Sequence, residues 1–428
     1  MSRRDSCAVR SIRFGGRLAC IFHILAALAI GLPGCAEAGE ITGYALYRGG
    51  LGLSKGETND PVLREEVLDL GWQSNTGLGW GAAARARYLR EGRLEPTPYE
   101  KWSVRELTLS RETAHWSTTL GKQEVRWGKA DGLPLLDLVN PHDTREFVLG
   151  DTNRTRIPLW MVNVKRYWDD QSVQLVVSPD LRGNRLPEAG GRFYIQPDLP
   201  PGVNAQVEAT DNPAQVPKNW ELGLRWHDQI GSLELNGLVY RGWSNQPVFF
   251  TSMIGPTTVR VTPTLVRQTW YGASGDIPVG SVLWRFSMLF TPDEYRNFSQ
   301  SGALPEQRRT GIWRGVVGVD WTPANWMLST QIFHFQDKGK PADLASPTGN
   351  YLSLLAQKYW LQRRLSIRFF SMMGLDAHDR WFTAQARYKL SGNYELALSV
   401  DTLSGDTDGF FGRFGKQDRV VAEFKYKL

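Results

Sequence analysis

The stretch Arg419-Val420-Val421-Ala422-Glu423-Phe424-Lys425-Tyr426-Lys427-Leu428 decides the fold class. Val420, Ala422, Phe424, Tyr426 and Leu428 share one parity, and Arg419, Glu423, Lys425 and Lys427 share the other. Successive side chains of a strand point to opposite faces, so this segment has one apolar and one charged surface. A barrel with a lipid-facing outside and a water-filled inside asks for that pattern. Four other segments repeat it: Trp220 to His227, Val282 to Phe290, Phe382 to Leu390 and Tyr394 to Asp401.

Working back from Leu428, short joints are expected at 391–393, 362–364, 322–324, 275–278, 228–231, 169–170, 113–115 and 75–77. Longer connections are expected at 403–417, 375–379, 337–349, 292–308, 242–257, 179–218, 129–159, 92–98 and 49–64. Tight periplasmic turns alternating with long outer loops are the habit of outer-membrane barrels, and a soluble sandwich has no reason for the asymmetry. The expectation is an all-β chain, one antiparallel transmembrane barrel of about 18 strands (16 to 18). Segments near 41–48, 99–111 and 325–336 alternate imperfectly, which bulges would explain.

The composition agrees. Among 428 residues there are 17 Trp, 14 Tyr, 18 Phe and only 3 Cys. The one sustained apolar run, Leu18 to Leu32, is too isolated for a helical membrane protein. It follows Arg3, Arg4, Arg10, Arg13 and Arg17 and precedes Ala36-Glu37-Ala38, so residues 1–38 read as a signal peptide cut after Ala38. A rival cut would lipidate Cys35, but Pro33 before Gly34 fits that motif poorly. Cleavage removes all three cysteines, five Arg and two acids, so a net charge of +6 becomes +3. Nucleic-acid binding, which needs a clustered basic face, is not expected.

Two connections stand out. Residues 179–218 are rich in Pro and Gly; they are read either as a solvated extracellular loop or as a loop folded inward. Residues 129–159 contain Gly132-Leu133-Pro134-Leu135-Leu136-Asp137-Leu138-Val139-Asn140-Pro141, too apolar for a loop in water. This segment is expected to pack in the lumen as a plug or constriction, with a cap over the mouth as the alternative. Its Asp137, Asn140, His142, Asp143, Arg145, Glu146, Arg154 and Arg156 are candidates to meet the inward cations Arg85, Arg87, Lys165, Arg225, Arg285, Arg314 and Arg387. With Arg368, Lys389 and Lys425 the inward bases number ten, against the acids Glu221, Glu234, Asp320, Glu395, Asp401 and Glu423. The excess suggests a mild anion bias, unless cross-strand salt bridges absorb it.

Three motifs, Gly121-Lys122-Gln123-Glu124-Val125-Arg126-Trp127-Gly128-Lys129, Asp137-Leu138-Val139-Asn140-Pro141-His142-Asp143-Thr144-Arg145-Glu146-Phe147 and Arg156-Ile157-Pro158-Leu159-Trp160-Met161, carry a resemblance. They resemble an uncharacterised family of Gram-negative outer-membrane β-barrel proteins, a domain of unknown function often found with RND-type exporters. Alginate-export-like porins share a related Gly-Arg-Gln strand. Lys122 stands where that family has Arg, Lys129 where it has an acid, and Leu428 where barrels often have Phe. The resemblance covers residues 120 to 162 and implies an outer-membrane location and no catalytic residue.

Chemistry is not evident. Gly272-Ala273-Ser274-Gly275 falls short of a nucleophile elbow, Asp169-Asp170 and His378-Asp379 are expected at opposite ends of the barrel, and the five histidines after residue 38 are scattered. No enzyme activity, metal or cofactor is expected. The leading expectation is a porin-like channel for passive passage of small or amphipathic solutes. The rival is a non-conducting barrel scaffolding a periplasmic exporter or electron-transfer partner, and a weaker alternative is an outer-membrane enzyme. Expected partners are outer-membrane lipid, the barrel assembly machinery and a periplasmic exporter component.

Overall fold

The computed structural model describes residues 39–54, 59–75, 78–128, 130–133, 135–196, 199–298, 304, 306–336 and 347–428. The expected signal peptide, Cys35, Lys129 and Pro134 lie outside them. Eighteen strands form one antiparallel sheet. Each barrel strand pairs with its neighbour in sequence, and the first, Glu40–Gly52, pairs with the last, Arg419–Lys427, from Tyr44↔Lys427 to Gly52↔Arg419. The sheet is therefore a closed barrel, and closure satisfies every edge that hydrocarbon could not. Turns of two to four residues mark one rim, where the barrel strands begin and end; the longer connections lie at the other.

Side chains divide by parity. Val317, Ile332, Phe369 and Leu398 point outward at 49–56% exposure, an apolar belt around the wall. Outward Trp116, Trp168, Trp326 and Trp360 mark the short-turn rim, and Trp102, Trp160, Trp220 and Trp313 the other, as interfacial aromatics should. Lys358 lies 4.7 Å from the Trp326 ring centroid and 5.1 Å from that of Trp360, a cation held over the girdle. The barrel is thus built to span a bilayer.

Several expected boundaries move. The joints read at 228–231 and 275–278 sit instead at 231–232 and 280–281, where Gly231 and Gly280 supply positive φ of 61° and 62°. A β-turn needs such backbone more than it needs the Asp and Pro that marked the earlier positions. The long loop read at 292–308 is mostly strand: Val282–Phe298 and Glu306–Trp321 continue past the wall as a hairpin, with a register shift between Thr291 and Glu294. Residues 242–257 are not simply loop, because Val248–Met253 pairs with Thr258–Thr264, which also takes Asn204–Val207 as a parallel neighbour. The first outer connection contracts to 53–60, since Pro61–Asn75 and Glu40–Gly52 pair further than alternation showed.

The three imperfect segments have two causes. Strand Tyr99–Glu112 has a register shift at Arg85/Ala86 of its neighbour, a bulge, whereas the shift of Glu40–Gly52 lies at Gly50/Leu51, beyond segment 41–48, whose inward Tyr44 and buried Leu46 make both faces apolar. Strand Trp326–Phe335 has no shift. Its alternation fails because inward Phe333 and Phe335 are buried against lumen contents, so both faces are apolar.

Leu398→Arg places a charge on the lipid face, whereas Ser399→Arg places it in the lumen. The first should lower folding stability in vesicles by about 2–4 kcal/mol and the second by much less. Urea titration of the barrel in lipid vesicles measures both.

Candidate functional site in the lumen

A strand that ends inside a barrel leaves its backbone without partners unless the following chain supplies them. At Gln123 the wall strand ends, and residues 124–158 cross the lumen before the next strand, Leu159–Trp168, begins. The insertion starts five residues earlier than expected at 129. The cause is Asn140, which is fully buried: its Oδ1 accepts from Val125 N at 2.7 Å, and its Nδ2 donates to Ile157 O at 2.9 Å and Gln123 O at 3.3 Å. One side chain thus joins the departing, central and returning parts of the segment.

Apolar residues carry it onto two walls. Val125, Trp127, Leu136 and Val139 pack against inward Leu159, Met161, Val176, Leu238, Tyr240, Trp270 and Leu289. Trp127 meets the Tyr240 ring edge-on, centroids 5.8 Å apart, and donates its Nε1–H to Gln174 at 3.0 Å. Leu135, with Leu133 and Ala130, belongs to a second cluster around Phe335, Tyr351, Phe370 and Trp381. Burial of this kind is non-directional, so charges must set the register.

Three ionic anchors to the wall do so, and a fourth ion pair, Asp137 with Arg156, ties the segment to itself. Asp131 accepts from Gln331 Nε2 at 2.8 Å and pairs with Arg285 at 3.2 Å. Asp137 is bridged to Arg156 and lies 3.3 Å from His142 Nε2; burial alone would raise its carboxyl, but the bonds from His142 and Arg156 hold it below the ordinary carboxylate value. Arg154 reaches Glu65 at 3.1 Å, while Arg87 donates to the Arg154 carbonyl at 2.9 Å. Glu146 pairs with Arg48 at 2.8 Å and Arg419 at 2.9 Å. Burial opposes its ionisation too, yet the two guanidiniums hold it far below the ordinary carboxylate value.

The seven wall cations named from alternation all point inward, but most are engaged. Arg85 and Arg87 share Asp69, at 3.0 and 2.8 Å. Arg285 also reaches Asp320, Arg314 reaches Glu294 and Arg387 reaches Glu395, each within 3 Å. Arg225 donates to Asn236 Oδ1 at 2.7 Å. Lys165 faces Gln174 across the strand pair. Within the insertion Asp143 pairs with Arg145 at 2.8 Å, and Arg145 extends to Glu91 at 3.5 Å.

Two further loops form a lid over the insertion. Residues 179–195 fold back onto it: Arg185 N donates to His142 O, Thr144 N donates to Arg185 O, and Phe193 is buried. Residues 406–418 fold in as well, because Asp379 accepts from the amides of Phe410, Phe411 and Gly412 and from the Tyr351 hydroxyl. The three loops meet where Phe147 lies 4.9 Å from Phe410 and 4.7 Å from Phe414, and Phe193 lies 5.3 Å from Phe414. Phe147 takes φ of +54°, a strained position for an aromatic residue that the packing holds in place. The signal was present in Gly409-Phe410-Phe411-Gly412-Arg413-Phe414, too apolar for a free loop by the criterion applied to residues 132–141.

Below the insertion, toward the short-turn rim, a cavity of about 1030 Å³ remains. Ten Arg and Lys line it against six Asp and Glu. A smaller cavity of about 310 Å³ lies on the long-loop side, between Leu135, Leu138, Gln246, Trp270 and Arg314. Asp169-Asp170 and Asp379 sit at opposite rims.

Two changes test the anchors. Asn140→Leu leaves the Val125 amide and two carbonyls unpartnered and should destabilise the docked segment by about 3 kcal/mol, read as faster proteolysis within 124–158. A carboxyl with a depressed value stabilises the docked form above its unfolded value of 4.5 and loses that contribution only as pH falls below it. Backbone protection at 143–150 in hydrogen exchange, corrected for intrinsic rates, should therefore hold from pH 7 to about 4.5 and fall at lower pH. In Glu146→Gln it should be low throughout.

No protein-family model and no curated protein sequence matches the chain. Among solved structures, it is similar to a triple mutant of the Rh. blastica porin (10% identity, 91% of this chain and 100% of that one, TM-score 0.43). It is also similar to a loop L8 deletion mutant of OmpT of Vibrio cholerae (12%, 92% and 100%, 0.43) and to Salmonella typhi OmpF in complex with daunomycin (8%, 92% and 100%, 0.44).

Proposed function

We propose that this chain is an outer-membrane channel for passive passage of small solutes, with residues 124–158 as the constriction that sets which of them pass. The observation that carries the reading is a closed barrel with an apolar outside whose lumen is crossed, not filled, by an ion-anchored segment. The segment is docked on two apolar clusters and registered by salt bridges, and the space it leaves open beside it sets the size and charge of what fits past it. The lining favours anions. Its carboxylates are drawn into ion pairs, as Glu395 is with Arg387 and Lys427 and as Asp401 is with Arg419. The outer-membrane location rests on the barrel's form, since closed barrels with aromatic girdles are how β-chains cross that membrane.

The aromatic meeting of three loops over the insertion favours a second reading, a barrel sealed at its long-loop mouth that serves as a scaffold. An exporter component or electron-transfer protein would then dock at the short-turn rim. An enzyme role has no such support.

Planar-bilayer recording separates the two. The channel reading expects small conductance from the intact barrel, a several-fold rise when residues 131–156 are replaced by a short Gly-Ser linker, and a reversal potential in a KCl gradient displaced toward chloride. Absence of pores in both forms would overturn it in favour of the scaffold.

A further inference from the structure

Four neighbouring wall strands, Trp326–Phe335, Gly349–Trp360, Leu365–Gly374 and Asp379–Lys389, contain one acidic residue, Asp379, and it lies at the long-loop end. The turns at 322–325, 361–364 and 390–393 on the short-turn side contain none. Toward that rim the same arc carries Lys358, Arg363, Arg364, Arg387 and Lys389. Arg387 and Lys389 face the lumen across from the strand that holds Glu395, and Arg363 stands at the cavity mouth, 4.9 Å from the Tyr359 ring centroid. Lys358 lies between Gln357 and Tyr359, both of which line the cavity, so its own side chain faces outward. Arg364, at the rim itself, leans over outward Tyr388 at 5.5 Å. Neither Lys358 nor Arg364 makes an ion pair among the described residues.

Each of the two cations is held in place without being neutralised. Lys358 sits directly across from Trp326, and its ammonium is shared by the exposed Trp326 and Trp360 rings, which fix it at the depth of the aromatic girdle. Arg364 donates from Nε to Lys389 O at 3.2 Å and from Nη2 to Leu390 O at 2.8 Å, bonds that orient the guanidinium and leave its charge. One row further into the membrane, Ala356 stands between Leu328 and Phe369. Phe369 and Leu354 are exposed, so a shallow apolar furrow leads from the cations into hydrocarbon. The pairing of an outward Trp with a cation directly across from it recurs at Trp80 with Arg111 and at Trp116 with Arg166, at 4.7 and 5.1 Å. There Glu112 follows Arg111, and the turn after Trp168 is Asp169-Asp170. Acids thus accompany the cations on that arc and are missing from this one.

An uncompensated cation at headgroup depth, with water on one side and an apolar furrow on the other, fits a phosphate that carries acyl chains. A zwitterionic headgroup brings an ammonium of its own, which the two cations repel, and a headgroup of net negative charge does not. We infer that the short-turn rim between Trp326 and Tyr388 binds an anionic phospholipid of the adjoining leaflet. Its phosphate lies on Lys358 and Arg364, its glycerol backbone against Trp326 and Trp360, and an acyl chain along Ala356. The site is on the outside of the wall, so it goes beyond the channel reading and holds whether or not the barrel conducts.

Native mass spectrometry of the purified full barrel in detergent, with dioleoylphosphatidylglycerol or dioleoylphosphatidylcholine added, tests the site. The first phosphatidylglycerol should bind about tenfold more tightly than the first phosphatidylcholine, roughly what two basic side chains at a lipid surface supply. Lys358→Gln combined with Arg364→Gln should bring the two lipids to near parity. Lys358→Arg combined with Arg364→Lys keeps both charges and should keep the preference, as should Arg111→Gln combined with Arg166→Gln on the other arc. Glycerol 3-phosphate, which has the phosphate without the chains, should not displace the lipid. Equal binding of the two lipids to the unaltered protein, or a preference that survives loss of Lys358 and Arg364, would overturn the site. An equal loss of preference in the Arg111 and Arg166 variant would reduce it to the net charge of the barrel. Displacement by glycerol 3-phosphate at the lipid's own concentration would overturn the lipid as ligand. Circular dichroism melting separates a folding defect from lost affinity. If the glutamine pair melts early, Lys358→Gln alone, which removes no bond to a backbone carbonyl, decides by the same comparison of lipids.

Discussion

Closure of the first strand on the last is the constraint from which everything else follows. In lipid an unpaired strand edge is untenable, so Glu40–Gly52 and Arg419–Lys427 must meet although they lie at opposite ends of the described chain. Backbone pairing makes the seam, and the lumen reinforces it. Arg48 of the first strand and Arg419 of the last both reach Glu146, and Arg48 also approaches Glu423 across the seam at 3.7 Å. The inserted segment therefore ties together the two strands whose pairing is entropically the most expensive to form. Arg48 and Arg419 are both buried; Arg48 also pairs with Glu65 at 2.6 Å and Arg419 with Asp401 at 2.9 Å, so Glu146 joins two buried ion-pair networks.

The same closure gives the chain two apolar surfaces. Outside, apolar residues face a solvent of hydrocarbon and need no protein partner. Inside, Phe333, Phe370 and Tyr240 can be stable only if something covers them, and the insertion, the 179–195 segment and the 406–418 loop provide that cover. Where apolar cover stops, charged rows begin, and the larger cavity lies at that boundary. Its ten bases outnumber its six acids, and acids such as Glu395, Asp401 and Glu423 are paired, so the surplus is positive. The free positive charge of the lumen is what structural pairing leaves over.

Alternation made the strands legible because side-chain parity is a local property of extended backbone, readable within ten residues. It placed Arg85, Arg285, Arg387 and their fellows inward. It gave boundaries poorly wherever a strand ran beyond the bilayer, as in the 282–298 and 306–321 hairpin, since outside lipid no rule demands an apolar face. It also failed where both faces were apolar, as at Phe333 and Phe335.

By itself the sequence determined the barrel, its strand number and the inward parity of its charges, together with the improbability of residues 132–141 lying in water. Those follow from local periodicity and hydropathy. Only the tertiary structure decided which charges remain available, because pairing depends on residues such as Glu146 and Arg419 that lie 273 positions apart. It also decided that three separate loops meet at Phe147, and that Arg368 faces the cavity between two amides without an acid beside it. Long-range contact is set by how the closed wall brings distant strands around a shared interior, and no local pattern encodes it.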